Sequence, residues 1–383
     1  MKKIFAILLL STKLVSFSQN GAPATPYYNG FNWNQTGNAL KTALATKITI
    51  THTNLLTYSQ AENALRVTDA DPTDIQNVLL IYGFNSNICT YTNEENYGTF
   101  ASWNEHRKRN KSADQPPTPV TNPPTSPLTE CVWNREHVYP VSLGNPSLDT
   151  GTPSAGTDAH HLRTADVDRN ALRGNKKFTS GSGNSSIIGT NWYPGGEWKG
   201  DVARMIMYMY LRYPSQCKPS RVGTGSVVTT DTDMMQLFLQ WNAEDPVSQY
   251  EDNRNSYLGN LSNTYGQGNR NPFIDNPYLA TLIWGGQIAQ NRWPTIYLET
   301  NNFDFENSVA IYPNPSSTLN VTISSTIEWN EIKIYNVNGQ LAKSIINPNF
   351  INNELQINSL MKGFYFVTFV TENVNITKKL IIN

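Results

Sequence analysis

The chain has 383 residues, room for two or three domains at about 150 residues each, so a single small module is excluded. Charged residues are 15% of it, and 29 Lys/Arg against 30 Asp/Glu leave a formal net charge of −1, which excludes a uniformly basic nucleic-acid coat and an acidic tail. Hydrophobic residues at 38% and aromatics at 11% exclude a disordered chain, whose signature is few aromatics and high net charge.

Met1-Lys2-Lys3, the apolar run from Ile4 to Phe17 and the small-x-small Ser16-Phe17-Ser18 have the layout of a secretory signal over residues 1–18. That run is shorter than the roughly 20 apolar residues a bilayer needs, and no other stretch approaches this length, so the expected product is a secreted monomer with no stable membrane insertion. Leu40, Leu44 and Ile48 recur at four-residue spacing, which predicts an amphipathic helix, and Val78-Leu79-Leu80-Ile81-Tyr82 before Gly83 predicts a buried strand. Arg107-Lys108-Arg109 with Lys111 suits either a phosphate backbone or a solvated face. Residues 114–129 hold Pro116, Pro117, Pro119, Pro123, Pro124 and Pro127 in a polar, Thr-rich segment, which predicts an exposed loop inserted in the main domain. Cys89, Cys131 and Cys217 include no CxxC spacing. They allow at most one disulfide and make a cysteine-built zinc site a poor fit.

Residues 132–140 predict a strand entering a turn at Pro140. Asp201 is a candidate cap for a helix over 202–212, where Met205, Ile206, Met209 and Tyr210 form an apolar stripe and Pro214 ends it. A further helix is expected over 231–241, presenting Met234, Phe238 and Trp241. From about Asn307 short alternating strands separated by Asn/Gly/Ser turns predict a small β-sandwich. Charge is also unevenly spread: residues 161–221 carry ten Lys/Arg against four acids, residues 222–310 three against ten. The first stretch is a candidate anion-binding face.

Three of the five histidines, His137, His160 and His161, lie within 25 residues of each other. Glu136 and His137 are adjacent on the expected strand, so they point to opposite faces unless a bulge or turn intervenes. On a helix starting near Thr164 or Asp166, Asp166, Asn170 and Arg173 share one face. Oxygen donors such as Glu136 and the Asn170 carbonyl suit a hard cation like Mg²⁺, a neutral imidazole can deprotonate water near pH 7, and arginine forks hold phosphate. His160, His161 and Asp158 suit structural or orienting roles, and Gln267-Gly268-Asn269-Arg270-Asn271-Pro272-Phe273-Ile274 suits either a buttress or a DNA-contacting loop.

Asn134-Arg135-Glu136-His137-Val138-Tyr139-Pro140, Asp158-Ala159-His160-His161-Leu162-Arg163, Asn170-Ala171-Leu172-Arg173-Gly174-Asn175, Lys199-Gly200-Asp201-Val202-Ala203-Arg204 and the 267–274 segment together resemble the secreted endonuclease I family of the ββα-metal (His-Me finger) superfamily. Ile311-Tyr312-Pro313-Asn314-Pro315, Gly363-Phe364-Tyr365 and Lys378-Lys379 make the tail similar to the C-terminal sorting domain of type IX secretion. The resemblance implies an α+β fold: a ββα-metal core within a helix-rich catalytic domain (19–300), then an all-β sandwich tail (301–383). It implies His137 as general base, Glu136 and Asn170 as metal ligands, Mg²⁺ with Ca²⁺ or Mn²⁺ as alternatives, and DNA hydrolysis to 5′-phosphate and 3′-hydroxyl ends, with RNA left open as a substrate. Some relatives carry a phosphate-clamping arginine in the loop after the base; residues 141–157 hold no Lys or Arg, so Arg163 and Arg173 stand in for it. Two other readings are an adhesin or polysaccharide-binding protein and a zinc hydrolase using His137, His160 and His161. The implied partners are nucleic acid and, through the tail, the secretion machinery.

Overall fold

In a computed structural model the described residues are 21–88, 105–114, 132–297, 308–371 and 375–383, so the expected signal, most of the Pro-rich loop, Cys89 and Cys131 lie outside them. The chain divides into two compact units, Met1–Trp293 and Pro294–Asn383.

The first unit opens with α1 (Gly37–Thr51), on which Leu40, Leu44 and Ile48 are fully buried, as their spacing predicts. Next come α2 (Tyr58–Thr68), β1 (Ala70–Asp71), β2 (Asp74–Leu79), β3 (Asn85–Ile88) and β4 (His106–Asn110), the strands forming a sheet of order β1-β2-β4-β3. The buried strand expected at 78–82 is displaced. β2 stops at Leu79, after which Leu80 N donates to Arg107 O, Ile81 N donates to Thr164 O, and Tyr82 turns away with φ +71°. The apolar run is buried throughout, but it serves as a corner linking two sheets.

β5 (Trp133–His137) pairs antiparallel with β6 (Leu162–Asp166), and α3 (Val167–Arg173) follows at once. A small hairpin, β7 (Ser186–Ile188) and β8 (Asn191–Tyr193), leads to α4 (Lys199–Arg212). Gly200 through Leu211 of α4 are all buried, so this helix is enclosed on every side where a one-faced stripe was expected. Its N-cap is Trp198, and Asp201 is not the cap: its carboxylate is engaged by Arg163 Nη1 at 2.9 Å.

β9 (Val227–Val228) pairs with β10 (Asp231–Met235), and α5 (Gln236–Glu244) starts only after it. The helix expected from 231 therefore begins five residues late. Asp231 accepts from Lys41 Nζ at 2.5 Å, Trp284 Nε1 at 2.9 Å and Tyr210 Oη at 2.9 Å, which ties it into an extended segment. α6 (Gln249–Gly259), α7 (Pro272–Asp275) and α8 (Tyr278–Trp284) complete the unit. Among the described residues no helix is long and apolar enough to cross a membrane.

The second unit contains β11 (Val309–Tyr312), β12 (Val321–Ser325), β13 (Glu331–Asn336), β14 (Leu341–Ile346), β15 (Glu354–Ile357), β16 (Gly363–Val370) and β17 (Asn375–Ile382). They form two antiparallel sheets, β11-β12-β15 and β14-β13-β16-β17. Alternate residues such as Ile323, Ile332, Ile334, Val367, Phe369 and Leu380 meet in one apolar core. In β17, Ile376, Leu380 and Ile382 keep the inward alternation.

Candidate active site

The hairpin of β5 and β6 fixes the register of the chemistry: Trp133 lies opposite Asp166, Glu136 opposite Arg163 and His137 opposite Leu162. Asp166 ends β6 and caps α3, its Oδ1 accepting from the backbone N–H of Asp168 and Arg169 at 3.0 Å each. Its Oδ2 takes Arg109 Nη2 at 2.5 Å. Asp166 is therefore a cap outside the helix, not a member of the face expected to carry Asn170 and Arg173. The helix closes at Gly174, whose φ of +53° a side chain would strain. Midway along α3, Asn170 leans on β5, its Nδ2 donating to Asn134 Oδ1 at 2.8 Å and Arg135 O at 3.3 Å. Local register and one short helix thus bring Glu136, His137 and Asn170 onto adjoining elements.

His137 Nε2 lies 2.9 Å from Gly156 O. A carbonyl oxygen can only accept, so Nε2 holds the proton and Nδ1 presents the lone pair. Burial, with the neighbouring His161 ring adding to it, pushes the imidazole down to about 3, so it is neutral at physiological pH. Glu136, the residue before it, is buried on the opposite face of β5, whose pairing with β6 runs through both residues without a bulge. Tyr82 Oη donates to Glu136 Oε1 at 2.8 Å, and Arg173 Nη1 approaches the same oxygen at 3.1 Å. Burial raises the Glu136 carboxyl against the pull of Arg173 and the Tyr82 hydroxyl. Arg173 also donates to the carbonyls of His137 (Nη1, 3.0 Å) and Val138 (Nη2, 2.8 Å), which fastens the end of α3 to the end of β5.

Arg163 is placed quite differently from a phosphate clamp. Its side chain is fully buried, with Nε 3.2 Å from Asp69 Oδ2 and Nη1 2.9 Å from Asp201 Oδ2, between the rings of Trp198 and Tyr250. So enclosed, the guanidinium has no face open to a substrate.

The other two histidines serve a buried network. His160 Nε2 meets Asn269 O at 3.0 Å and its ring packs on Tyr208, while His161 Nε2 meets Ala155 O at 2.8 Å. Asp158 accepts from Tyr208 Oη at 2.7 Å, Tyr213 Oη at 3.0 Å and Gln267 Nε2 at 2.9 Å; burial works to raise its carboxyl, but His52, His160 and the Gln267 amide hold it below the usual range. Gln267, Asn269 and Asn271 are buried, so the 267–274 segment is an internal buttress rather than a surface loop. The three-histidine zinc arrangement is not formed: the His137 and His161 rings are 5.5 Å apart with their Nε2 atoms committed to separate carbonyls, and the described residues contain no metal-sized cluster of three His, Cys, Asp or Glu.

This network predicts acid lability. Burial pushes His160 and His161 down to about 4 in the folded chain, against 6.5 for an ordinary imidazole. As pH falls from about 6.5 to 4 the unfolded chain takes up protons that the folded chain refuses, so stability is full above that window and is lost through it, by about 1.4 kcal/mol per pH unit per histidine. Thermal melts at descending pH should show the first unit's Tm dropping steadily; a Tm unchanged between pH 7 and 5 contradicts this.

Much of the basic stretch is already engaged within the protein. Of its ten cations, Arg163, Arg173, Lys199, Arg204 and Lys218 are paired with acids, and Arg169 is buried against Ser185. In β4, Arg107 pairs with Glu197, Lys108 with Asp71 and Arg109 with Asp166. The excess of positive charge neutralises the protein's own carboxylates more than it forms an open anion-binding face.

Residues 36–278 match the family model for endonuclease I, and residues 310–383 that for a secretion system C-terminal sorting domain. The chain belongs to the endonuclease I family. The extracellular ribonuclease of Bacillus subtilis (strain 168) is 36% identical over 282 residues, covering 69% of this chain and 82% of its own. That of Bacillus amyloliquefaciens is 36% identical over 262 residues, covering 65% and 75%. A solved PorZ chain of Porphyromonas gingivalis covers 22% of this chain and 12% of its own at 17% identity and a TM-score of 0.18, too low to bear on the fold. This endonuclease I-family chain is a secreted nuclease that acts on phosphodiester bonds, which sets aside the adhesin reading. The structure brings Glu136, His137 and Asn170, picked out by their clustered motifs, onto β5 and the adjoining α3. Tyr58, Tyr82 and Gly156 were missed, because each reaches the site from a distant segment that carries no local signature.

Proposed function

We propose that this nuclease is a metal-dependent endonuclease of low sequence specificity that hydrolyses RNA as well as DNA, with the hairpin and α3 serving as a ββα-metal core. The observation that carries the reading is the His137 tautomer: a neutral imidazole with its proton fixed on Nε2 by Gly156 O, and Nδ1 left to take a proton from water. The oxygen donors come from the preceding residue of β5 and from α3. Both polar partners of Glu136 bind Oε1, leaving Oε2, and the Asn170 amide spends its NH₂ on Asn134 and Arg135, leaving its oxygen. One carboxylate plus one amide oxygen fits a hard cation such as Mg²⁺ that keeps most of its waters, so Glu136 and Asn170 are the residues that would hold it. When bound, the cation supplies positive charge to the phosphate and to the departing 3′ oxygen. His137 deprotonates the attacking water, and Arg173 keeps the base and Glu136 in register through its bonds to the His137 and Val138 carbonyls. Cleavage of the P–O3′ bond leaves a 5′-phosphate and a 3′-hydroxyl. RNA enters because both Bacillus relatives are named ribonucleases.

Plasmid DNA and RNA incubated with the protein should both be degraded in Mg²⁺, with EDTA abolishing cleavage and added Mg²⁺ restoring it. Undiminished cleavage after chelation refutes the metal reading; intact RNA beside degraded DNA refutes the dual substrate.

A further inference from the structure

His137 is not held by its own strand alone. Arg135 and His137 are two residues apart on β5, and both contact Tyr58, the first residue of α2, a helix distant in sequence. The Tyr58 ring stacks on the His137 imidazole with centroids 5.5 Å apart and planes 26° from parallel. The Arg135 guanidinium carbon lies 3.6 Å from the same ring centroid. Each layer is separately fixed. Thr57 and Gln60 form a reciprocal capping box that sets the first turn of α2, and Arg135 Nη1 donates to Tyr58 O at 2.8 Å while Nη2 meets Glu62 Oε2 at 3.1 Å one turn further on. A cation over a tyrosine ring favours that ring position, and the ring is then a flat wall against which imidazole packs.

We infer that Tyr58 is a positioning residue for the nuclease reaction: clamped by Arg135, its ring holds the His137 imidazole in the plane that aims Nδ1 at the attacking water. The inference deepens the reading of His137 as general base and rests on it. The Gly156 bond fixes one ring nitrogen but leaves the imidazole free to swing about that contact, and the Tyr58 face removes this freedom. Small misplacements of a catalytic group cost large factors in rate, so the effect belongs in kcat.

The test compares Tyr58→Phe, Tyr58→Leu and Tyr58→Ala on Mg²⁺-loaded enzyme, assayed well below each variant's Tm and normalised to folded protein. Phe keeps the flat face and should stay within about twofold of wild type. Leu keeps apolar bulk without the face, and it and Ala should each lose roughly ten- to hundredfold in kcat with KM little changed. In a His137→Ala background, Tyr58→Leu should cost nothing further, because the group it orients is gone. Wild-type kcat in Tyr58→Leu overturns the inference. So does a loss in Phe equal to that in Leu, which would place the effect in the hydroxyl, or a full additional loss in the His137→Ala background. If His137→Ala itself retains activity, it is the base reading that fails; if His137→Ala is inactive and Tyr58→Leu is silent, only the positioning role falls.

Discussion

His137→Ala is expected to lower kcat by about two to four orders of magnitude on DNA and on RNA, the range that general-base catalysis contributes. The fold should survive. The imidazole makes one neutral hydrogen bond, to Gly156 O, so its removal costs on the order of 1 kcal/mol plus lost packing against Tyr58 and His161. The Glu136–Arg173 pair beside it remains intact, so the residues proposed to hold the cation keep their geometry. Activity and a thermal melt of the same preparation decide the matter. A His137→Ala enzyme within tenfold of wild type would remove His137 from the chemistry, whereas equal losses of activity and folded fraction would show only that the ring is structural.

The reach of the sequence follows the range of the interactions. That Glu136, His137 and Asn170 fall on adjoining elements could be read because strand, turn and helix lie within forty residues. Leu40, Leu44 and Ile48, and the tail strands, were legible from periodicity, which burial on one face imposes. Where periodicity failed, a long-range polar contact had overridden local preference. Asp201 looked like a cap but lies inside α4, bonded to Arg163, and Asp231 looked like a helix start but is held extended by Lys41, Tyr210 and Trp284. Charge counting misled for the same reason. Residues 161–221 looked like a surface for anions, yet Arg163, Arg173 and Arg204 point inward to Asp201, Glu136 and Glu251.

Arg163 is where these two views of charge predict opposite experiments. In the structure it is a buried strut: Asp69 Oδ2 also accepts from Thr164 N at 2.8 Å, so Arg163, Asp69 and β6 form one bonded unit behind the catalytic strand, with Asp201 tying in α4. Arg163→Met fills similar volume but removes one cation from each of two buried carboxylates, Asp69 keeping Arg254 and Asp201 keeping Arg204 at 3.7 Å. Breaking a buried pair from one side costs about 3–5 kcal/mol, which for a domain of this size lowers Tm by roughly 10 °C. Below that lower Tm, KM and its salt dependence should match wild type. A phosphate contact would behave in the reverse way: Tm would hold, KM would rise, and the slope of log affinity against log salt would fall by about one unit. Measuring both quantities on one variant separates the two roles, and a stable Arg163→Met protein with a shallower salt slope would return this arginine to the substrate.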